Sequence, residues 1–174
     1  MTVVVLVVGA VVVVAVYLTW LAGRHDRLTA RADGAWAALE VQLVRRAAAG
    51  RVLAAERRDL GVLAAADSAL RAEPAFREDS ENALGRSLRQ AGYEALPPQG
   101  LPPAQQASLA ELRGIAGRVR LARQFHNDAV RDLLALRRRP AARLLRLGRG
   151  SGQRYFEIDD SVLTGESVPP PAGA

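Results

Sequence analysis

The sequence has no cysteine, no lysine and only two histidines among its 174 residues. The absence of cysteine excludes a disulfide, a thiolate metal site and a thiol nucleophile. The two histidines, His25 and His126, lie far apart in sequence and do not form the cluster of ligands that a zinc or iron centre requires. No acid, base or metal-ligating groups converge in the pattern. We therefore expect no cofactor, no small-molecule substrate and no catalytic activity.

Aromatic side chains are also scarce, at 5% of the residues, whereas positive charge is in excess. The formal net charge is +6, and all 24 basic residues are arginine. Such a balance favours anionic partners such as a lipid surface or nucleic acid. The arginine bias is also typical of a GC-rich genome, however, and few aromatic platforms exist on which bases could stack. We predict no specific nucleic-acid partner.

Charged side chains are absent from Thr2 to Ala22. A helix needs about 20 apolar residues to cross a hydrocarbon core, and this segment supplies them. A lone strand could not satisfy its backbone hydrogen bonds in lipid, so the valine-rich run is predicted to be a helix. Tyr17 and Trp20 then lie where an interfacial aromatic belt is found. Residues 1–23 are predicted to be a transmembrane anchor.

A cleaved signal peptide is the alternative interpretation of this segment. It would need a basic region before the apolar run, a shorter run and a cleavage site between small residues, and the sequence has none of these. Arginines follow the run, starting at Arg24, and none precedes it. By the positive-inside rule, we expect a single-pass plasma-membrane protein with its N-terminus outside and its C-terminal domain in the cytoplasm.

The remaining chain has the apolar periodicity of helices and almost no strand signal. Proline and glycine separate the periodic stretches, at Pro74, at Gly92 and in the segment ALPPQGLPP of residues 95–103. We predict an all-α fold, in which the anchor precedes an elongated antiparallel bundle of three or four helices over residues 24–147. The predicted helices cover residues 24–72, 79–91, 103–139 and, as a short fourth, 141–147.

The C-terminal tail, residues 148–174, is rich in glycine and proline and is predicted to be mostly disordered, with YFEIDD as a short isolated patch.

The tail segment DDSVLTGESVP, Asp159 to Pro169, looks like the actuator motif of P-type ion-pumping ATPases, in which Glu166 would assist dephosphorylation. The nucleotide-binding, phosphorylation and multi-span domains of those pumps are missing from this chain. We therefore interpret the likeness of this segment to the actuator motif as a chance similarity.

Two segments resemble the LemA family of membrane-anchored bacterial proteins. They are GAWAALEVQLVRR, Gly34 to Arg46, and RLARQFHNDAV, Arg120 to Val130, which YFE at Tyr155 to Glu157 follows. The chain departs from the family at AAAGRVL, Ala47 to Leu53, and at His126, where the family generally has tyrosine. The resemblance implies an elongated helical bundle on one anchor, without established catalytic residues. The positions that match the family are structural or interaction candidates: Trp36, Leu43, Arg45, Arg46, Arg123, Asn127, Val130 and Phe156.

Polar residues on the predicted helices offer further contacts. Arg45 and Arg46 could pair with carboxylates on a facing helix, where Asn127 and Asp128 are natural partners, or they could form a solvated face. His126 and Asp128 do not share a helix face, so a general base with its orienting carboxylate is not expected. A packed or capping histidine is the preferred interpretation.

The function that this pattern favours is a LemA-type scaffold or adaptor that contacts other membrane proteins, or itself, through its helical domain. The alternative is a module that binds anionic lipid or nucleic acid through the arginine-rich segment 137–149. Salt-sensitive binding would distinguish the alternative from protein contacts.

Overall fold

The computed structural model describes residues 1–145, 152–159 and 163, and within these ranges the chain is helical and contains no strand. This confirms the predicted all-α class. The described residues form five α-helices and a 3-10 turn at Pro74–Phe76: α1 at Thr2–Arg57, α2 at Leu60–Arg71, α3 at Arg77–Gln90, α4 at Pro103–Arg137 and α5 at Pro140–Leu144.

Helix α1 includes the whole predicted anchor and continues past it without a break. Its most apolar 18-residue window has a mean hydropathy of 2.8, and none of that window is buried against the rest of the chain. Within the described part of the chain, α1 is the one helix long and apolar enough to span a membrane. Proteins with a signal sequence also carry such a helix near the N-terminus.

The predicted helix over residues 24–72 is wrong in one respect, because the chain leaves the helix at Arg58 and Asp59. Arg58 adopts a left-handed conformation with φ of 57°. Its N–H bonds to the carbonyl of Ala55, and the N–H of Asp59 bonds to that of Ala54 at 2.9 Å. This is the hydrogen-bond pattern of a Schellman motif, which usually has glycine at the left-handed position. Arginine in that position gives no sequence signal for the break.

The other predicted boundaries differ from the observed ones by a few residues. Helix α3 ends at Gln90, and Gly92 (φ 74°) closes a Schellman motif there, as its place in the sequence predicts. Helix α4 ends at Arg137, before Pro140 starts α5. Residues 146 and 147 of the predicted fourth helix lie outside the described residues.

The chain divides into two compact units, and the first comprises Met1–Trp36 and Phe125–Tyr155. In this unit Ala32 of α1 packs against Ala129, Val130 and Leu133 of α4. Leu21 packs with Leu136 and with Ala142 of α5. Because residues later in α1 meet residues earlier in α4, the two helices are antiparallel within this unit.

The second unit comprises Ala37–Gln124 and Phe156–Ala174, of which 156–159 and 163 are described at the C-terminal end. Helices α2 and α3 pack against each other in this unit. The proline-rich segment between α3 and α4 is not helical, as predicted, and Arg113 of α4 donates to the carbonyls of Glu94 and Leu96 at 3.1 and 2.8 Å. The core consists of buried side chains, including Leu39, Leu43, Leu53, Val62, Leu84, Leu88, Tyr93, Leu109 and Leu112.

Candidate functional site

A buried ion pair lies at the centre of the second unit. Arg46 of α1 is 2% exposed and Glu81 of α3 is 0% exposed. The Nη2 atom of Arg46 donates to Oε2 of Glu81 at 2.6 Å and to the Glu81 carbonyl at 3.2 Å. The pair therefore joins α1 to α3 by charged and neutral hydrogen bonds in a place that solvent does not reach.

Arg77 extends this cluster by one turn of α3. Its guanidinium donates to the carbonyl of Ala69, in α2, at 2.8 Å and lies 3.4 Å from Oε1 of Glu40, in α1. Arg46, Glu81 and Arg77 thus hold three helices together, and we name them the buried Arg–Glu cluster.

Burial dominates the electrostatics of the cluster. Desolvation raises the pKa of Glu81, while Arg46 and Arg77 oppose that rise. One carboxylate oxygen of Glu81, Oε1, has no hydrogen-bond partner in the described part of the chain. Because Glu81 is 0% exposed, neither solvent nor a substrate reaches its carboxylate.

The sequence predicted the ion pair only partly. Arg46 pairs with Glu81, so the suggested partners Asn127 and Asp128 are wrong for it; Asp128 instead pairs with Arg131 at 2.6 Å. Arg45 is exposed, as a solvated face requires. The sequence does contain a signal that Glu81 is buried. Leu84 and Leu88 lie on the apolar face of the predicted helix, and the same helical spacing continued towards the N-terminus places positions 81 and 77 on that face.

A row of exposed apolar side chains runs along α1 on a different face from the cluster. Val41, Val44 and Val52 are 48%, 39% and 51% exposed. Ala48 and Ala55 are also exposed, and the spacing of all five residues places them on one helix face. We name these five residues the α1 stripe. In the second unit, α1 is therefore apolar on two faces, one buried in the core and one open.

The C-terminal segment Gly152–Asp159 includes most of the predicted YFEIDD patch, and this patch is not isolated. Residues 148–151, 160–162 and 164–174 of the tail that is predicted to be mostly disordered lie outside the described residues. Phe156 and Ile158 are buried, whereas Glu157 and Asp159 between and after them are exposed. The N–H of Glu157 donates to Glu78 at 2.8 Å, and the N–H of Asp159 donates to Asn82 at 2.9 Å. Residues 156–159 are therefore fastened in extended form to one face of α3.

His126 is a packed residue, as the sequence suggests. It is 2% exposed, and its ring lies 5.4 Å from that of Trp36 between centroids. Its Nε2 is 3.1 Å from the carbonyl oxygen of Arg154. A carbonyl only accepts hydrogen bonds, so Nε2 carries the proton.

The remaining candidates divide between core and partly exposed positions. Leu43 and Val130 are fully buried core residues, and Arg123 and Asn127 are half-buried and have partners. Glu166 and the arginines at 146 and 149 lie outside the described residues. Within the described ranges, no three metal-ligating side chains come together.

Comparison with protein-family models, curated proteins and solved structures gives no match to this chain.

Proposed function

We propose that the protein is a membrane-anchored adaptor of the LemA type, which binds another membrane protein through the α1 stripe. The observation that carries the proposal is the open row of valines on a helix whose other face is already buried in the core. Single exposed apolar residues are ordinary, but a continuous apolar row on one face is typical of a contact surface.

The position of the charged residues of α1 supports the proposal that a protein, and not solvent, covers the α1 stripe. Of the arginines that flank the α1 stripe, Arg51 pairs with Asp67 at 2.8 Å and Arg45 is exposed. An apolar centre with polar edges is the usual anatomy of a protein interface. A partner helix with apolar residues at the same spacing would cover the valines and leave the arginines at the rim.

Anchoring is the second part of the proposal. The exposed valines of α1 before residue 17 would cost free energy in water, whereas a bilayer solvates them. With Arg24, Arg27 and Arg31 directly after the apolar segment, the proposed orientation has the N-terminus outside and the helical domain in the cytoplasm. No catalytic role enters the proposal.

The test uses the absence of native cysteine. A single cysteine at Ala48 gives a thiol on the α1 stripe without background from the rest of the chain. A bifunctional thiol-and-amine cross-linker is applied to intact membranes that contain the full-length variant. We expect one predominant adduct with a different membrane protein, identified by mass spectrometry.

The matched control has its cysteine at Arg86, an exposed residue of α3. Equal adduct patterns from positions 48 and 86 would contradict a specific surface. The chain has no lysine through which this reagent could join two copies, so self-association is tested by oxidative disulfide formation between the cysteines at position 48 of two copies. A disulfide-linked dimer, with no adduct to another protein, would contradict the adaptor and indicate a self-assembling scaffold.

A further inference from the structure

A basic groove lies on the surface of the first unit, where α1 faces the end of α4. Its volume is about 420 Å³. Leu28 and Leu136 contribute apolar surface to the groove. Its charged lining consists of Arg24, Arg27, Arg31, Arg139 and Asp132. We name this feature the basic groove.

Positive charge in the basic groove exceeds the available negative charge. Three of the arginines, at 24, 27 and 31, lie on one face of α1 because they are three and four residues apart. Arg31 is neutralised by Asp132, which lies 3.3 Å away. Four guanidinium groups against one carboxylate leave three positive charges in excess.

The excess charges are not engaged by other carboxylates of the described chain. Arg24 lies over the ring of Trp20, with 5.7 Å from its Cζ to the ring centroid. Arg27 and Arg139 have no ion pair within the described ranges, and all three side chains are exposed. The groove therefore presents guanidinium donors that are free to bind an anion. Planar guanidinium groups bind phosphate oxygens in bidentate fashion.

An apolar groove adjoins the basic groove along α1. It is lined by Val16, Trp20, Gly23 and Arg27, among others, so that Arg27 borders both grooves. Gly23 leaves an open depression between the larger side chains at 20 and 27. Tyr17 stacks with Trp20, at 6.1 Å between ring centroids, on the same helix face. Aromatic side chains of this kind lie at the level of lipid headgroups.

We infer that the basic groove binds the phosphate of an anionic phospholipid, and that an acyl chain of the same lipid lies along the adjoining apolar groove. The inference rests on the anchoring part of the proposed function, because it needs the span of α1 in a bilayer. A soluble phosphate compound or a nucleic acid would use the arginines but leave the apolar groove empty. Phospholipid matches both the charge and the apolar surface.

The test is native mass spectrometry of the full-length protein in detergent, titrated with phosphatidylglycerol. We expect one tightly bound lipid in the wild-type protein. Each surface arginine near a membrane contributes about 1 kcal/mol, so R27Q or R139Q weakens binding about fivefold and the double variant roughly 30-fold. R27K keeps the charge but loses the planar guanidinium, so its affinity is expected to lie between those of R27Q and the wild type.

One matched control separates this site from general positive charge. R86Q removes an exposed arginine of α3, in the second unit, and leaves lipid affinity unchanged. Circular dichroism of each variant checks that the helices remain folded. Affinities of R27Q, R139Q and R86Q that are all equal to the wild-type value would overturn the inference.

Competition identifies the class of ligand. Phosphatidylcholine, with no net charge, is expected to bind more weakly than phosphatidylglycerol. Displacement of the lipid by inorganic phosphate, or by a short DNA duplex at equal charge concentration, would contradict a lipid site.

Membrane association is measured separately by alkaline carbonate extraction. If the protein resists extraction but its lipid binding does not depend on these arginines, the inference of a lipid site is refuted and the proposed anchor stands. If the protein is extracted, the proposed anchor is refuted as well.

Discussion

At the scale of single residues, the most consequential feature is a charged pair placed where solvent cannot reach it. Burying Arg46 and Glu81 costs desolvation free energy, which their 2.6 Å contact offsets only in part. We therefore expect the pair to contribute more to the choice of helix register than to stability. The sequence identifies Arg46 as a candidate, but its partner becomes evident only when α3 is placed beside α1.

Removing one member of the pair is predicted to be much worse than removing both. R46A leaves the Glu81 carboxylate buried without its main partner and lowers the free energy of unfolding by about 3 to 5 kcal/mol. The double variant R46M/E81L removes both charges and is expected to be at least as stable as the wild type. Urea unfolding of the full-length protein in detergent, followed by circular dichroism, measures these values.

The control is R45A, at the exposed neighbouring arginine, which is expected to change the free energy of unfolding by less than about 0.5 kcal/mol. Equal decreases in the free energy of unfolding for R45A and R46A would refute the buried pair.

The stability of the protein is also predicted to depend on pH through Glu81. Because burial raises its pKa in the folded state, the unfolded chain ionises first as pH rises above the ordinary value of 4.5. The contribution of Glu81 is fully present below that value and is lost as pH rises through the folded-state pKa. The difference in unfolding free energy between the wild type and E81Q should therefore fall with increasing pH. A difference that grows with pH would mean that the contact with Arg46 outweighs burial.

At the scale of helices and turns, sequence patterns predict the elements better than their ends. Gly92 and Pro140 mark helix boundaries through backbone chemistry that can be recognised in a sequence. Arg58 terminates α1 without any such signal, because it adopts the left-handed conformation although arginine does not favour it. Only Asp59, a favourable N-cap residue, gives a hint that α2 begins there.

Asp59 is predicted to hold the start of α2 through its side chain. Its Oδ1 accepts a hydrogen bond from the N–H of Val62 at 3.1 Å. D59A removes that acceptor and is expected to lower the free energy of unfolding by about 1 kcal/mol. D59N keeps an oxygen at the same place and should remain close to the wild type in the same unfolding measurement. Equal losses in D59A and D59N would show that charge, and not the capping bond, is important.

The C-terminal segment at residues 156–159 lies within the YFEIDD patch that the sequence sets apart from the glycine- and proline-rich tail. The alternation of Phe156 and Ile158 with charged residues is the period of an extended chain with one buried side. Its partners are side chains of α3 about 80 residues earlier, which sequence spacing cannot reveal.

Removing the side-chain acceptors on α3 is predicted to release this segment. In E78A/N82A, the amides of Glu157 and Asp159 lose the hydrogen bonds that they make at 2.8 and 2.9 Å. Hydrogen exchange followed by mass spectrometry should show faster exchange in a peptide covering residues 156–159 and unchanged exchange within α4. The control E73A alters an exposed glutamate that makes no side-chain capping bond. Unchanged exchange at residues 156–159 in the double variant would contradict the attachment.

At the scale of the whole molecule, α1 combines a candidate membrane span with an open apolar face in the helical domain. Its first part, to Ala22, is predictable from length and hydropathy alone. The α1 stripe is not, because Val41, Val44 and Val52 have the same periodicity as core residues. Only the observed packing distinguishes the face that is buried from the face that is open. The central claim is that a partner protein covers this open face of the helical domain when the protein is anchored in its native membrane.

Cysteine accessibility along α1 tests that claim most directly. Single cysteines are placed at each position from 37 to 55 of the full-length protein, and labelling by a maleimide is compared between native membranes and purified protein in detergent. We predict slow labelling at positions 41, 44, 48, 52 and 55 in membranes and fast labelling of the same positions after purification. Core positions 43 and 47 should label slowly in both states. Equally fast labelling of the α1 stripe in membranes and in detergent would contradict the claim that it is a protein contact surface.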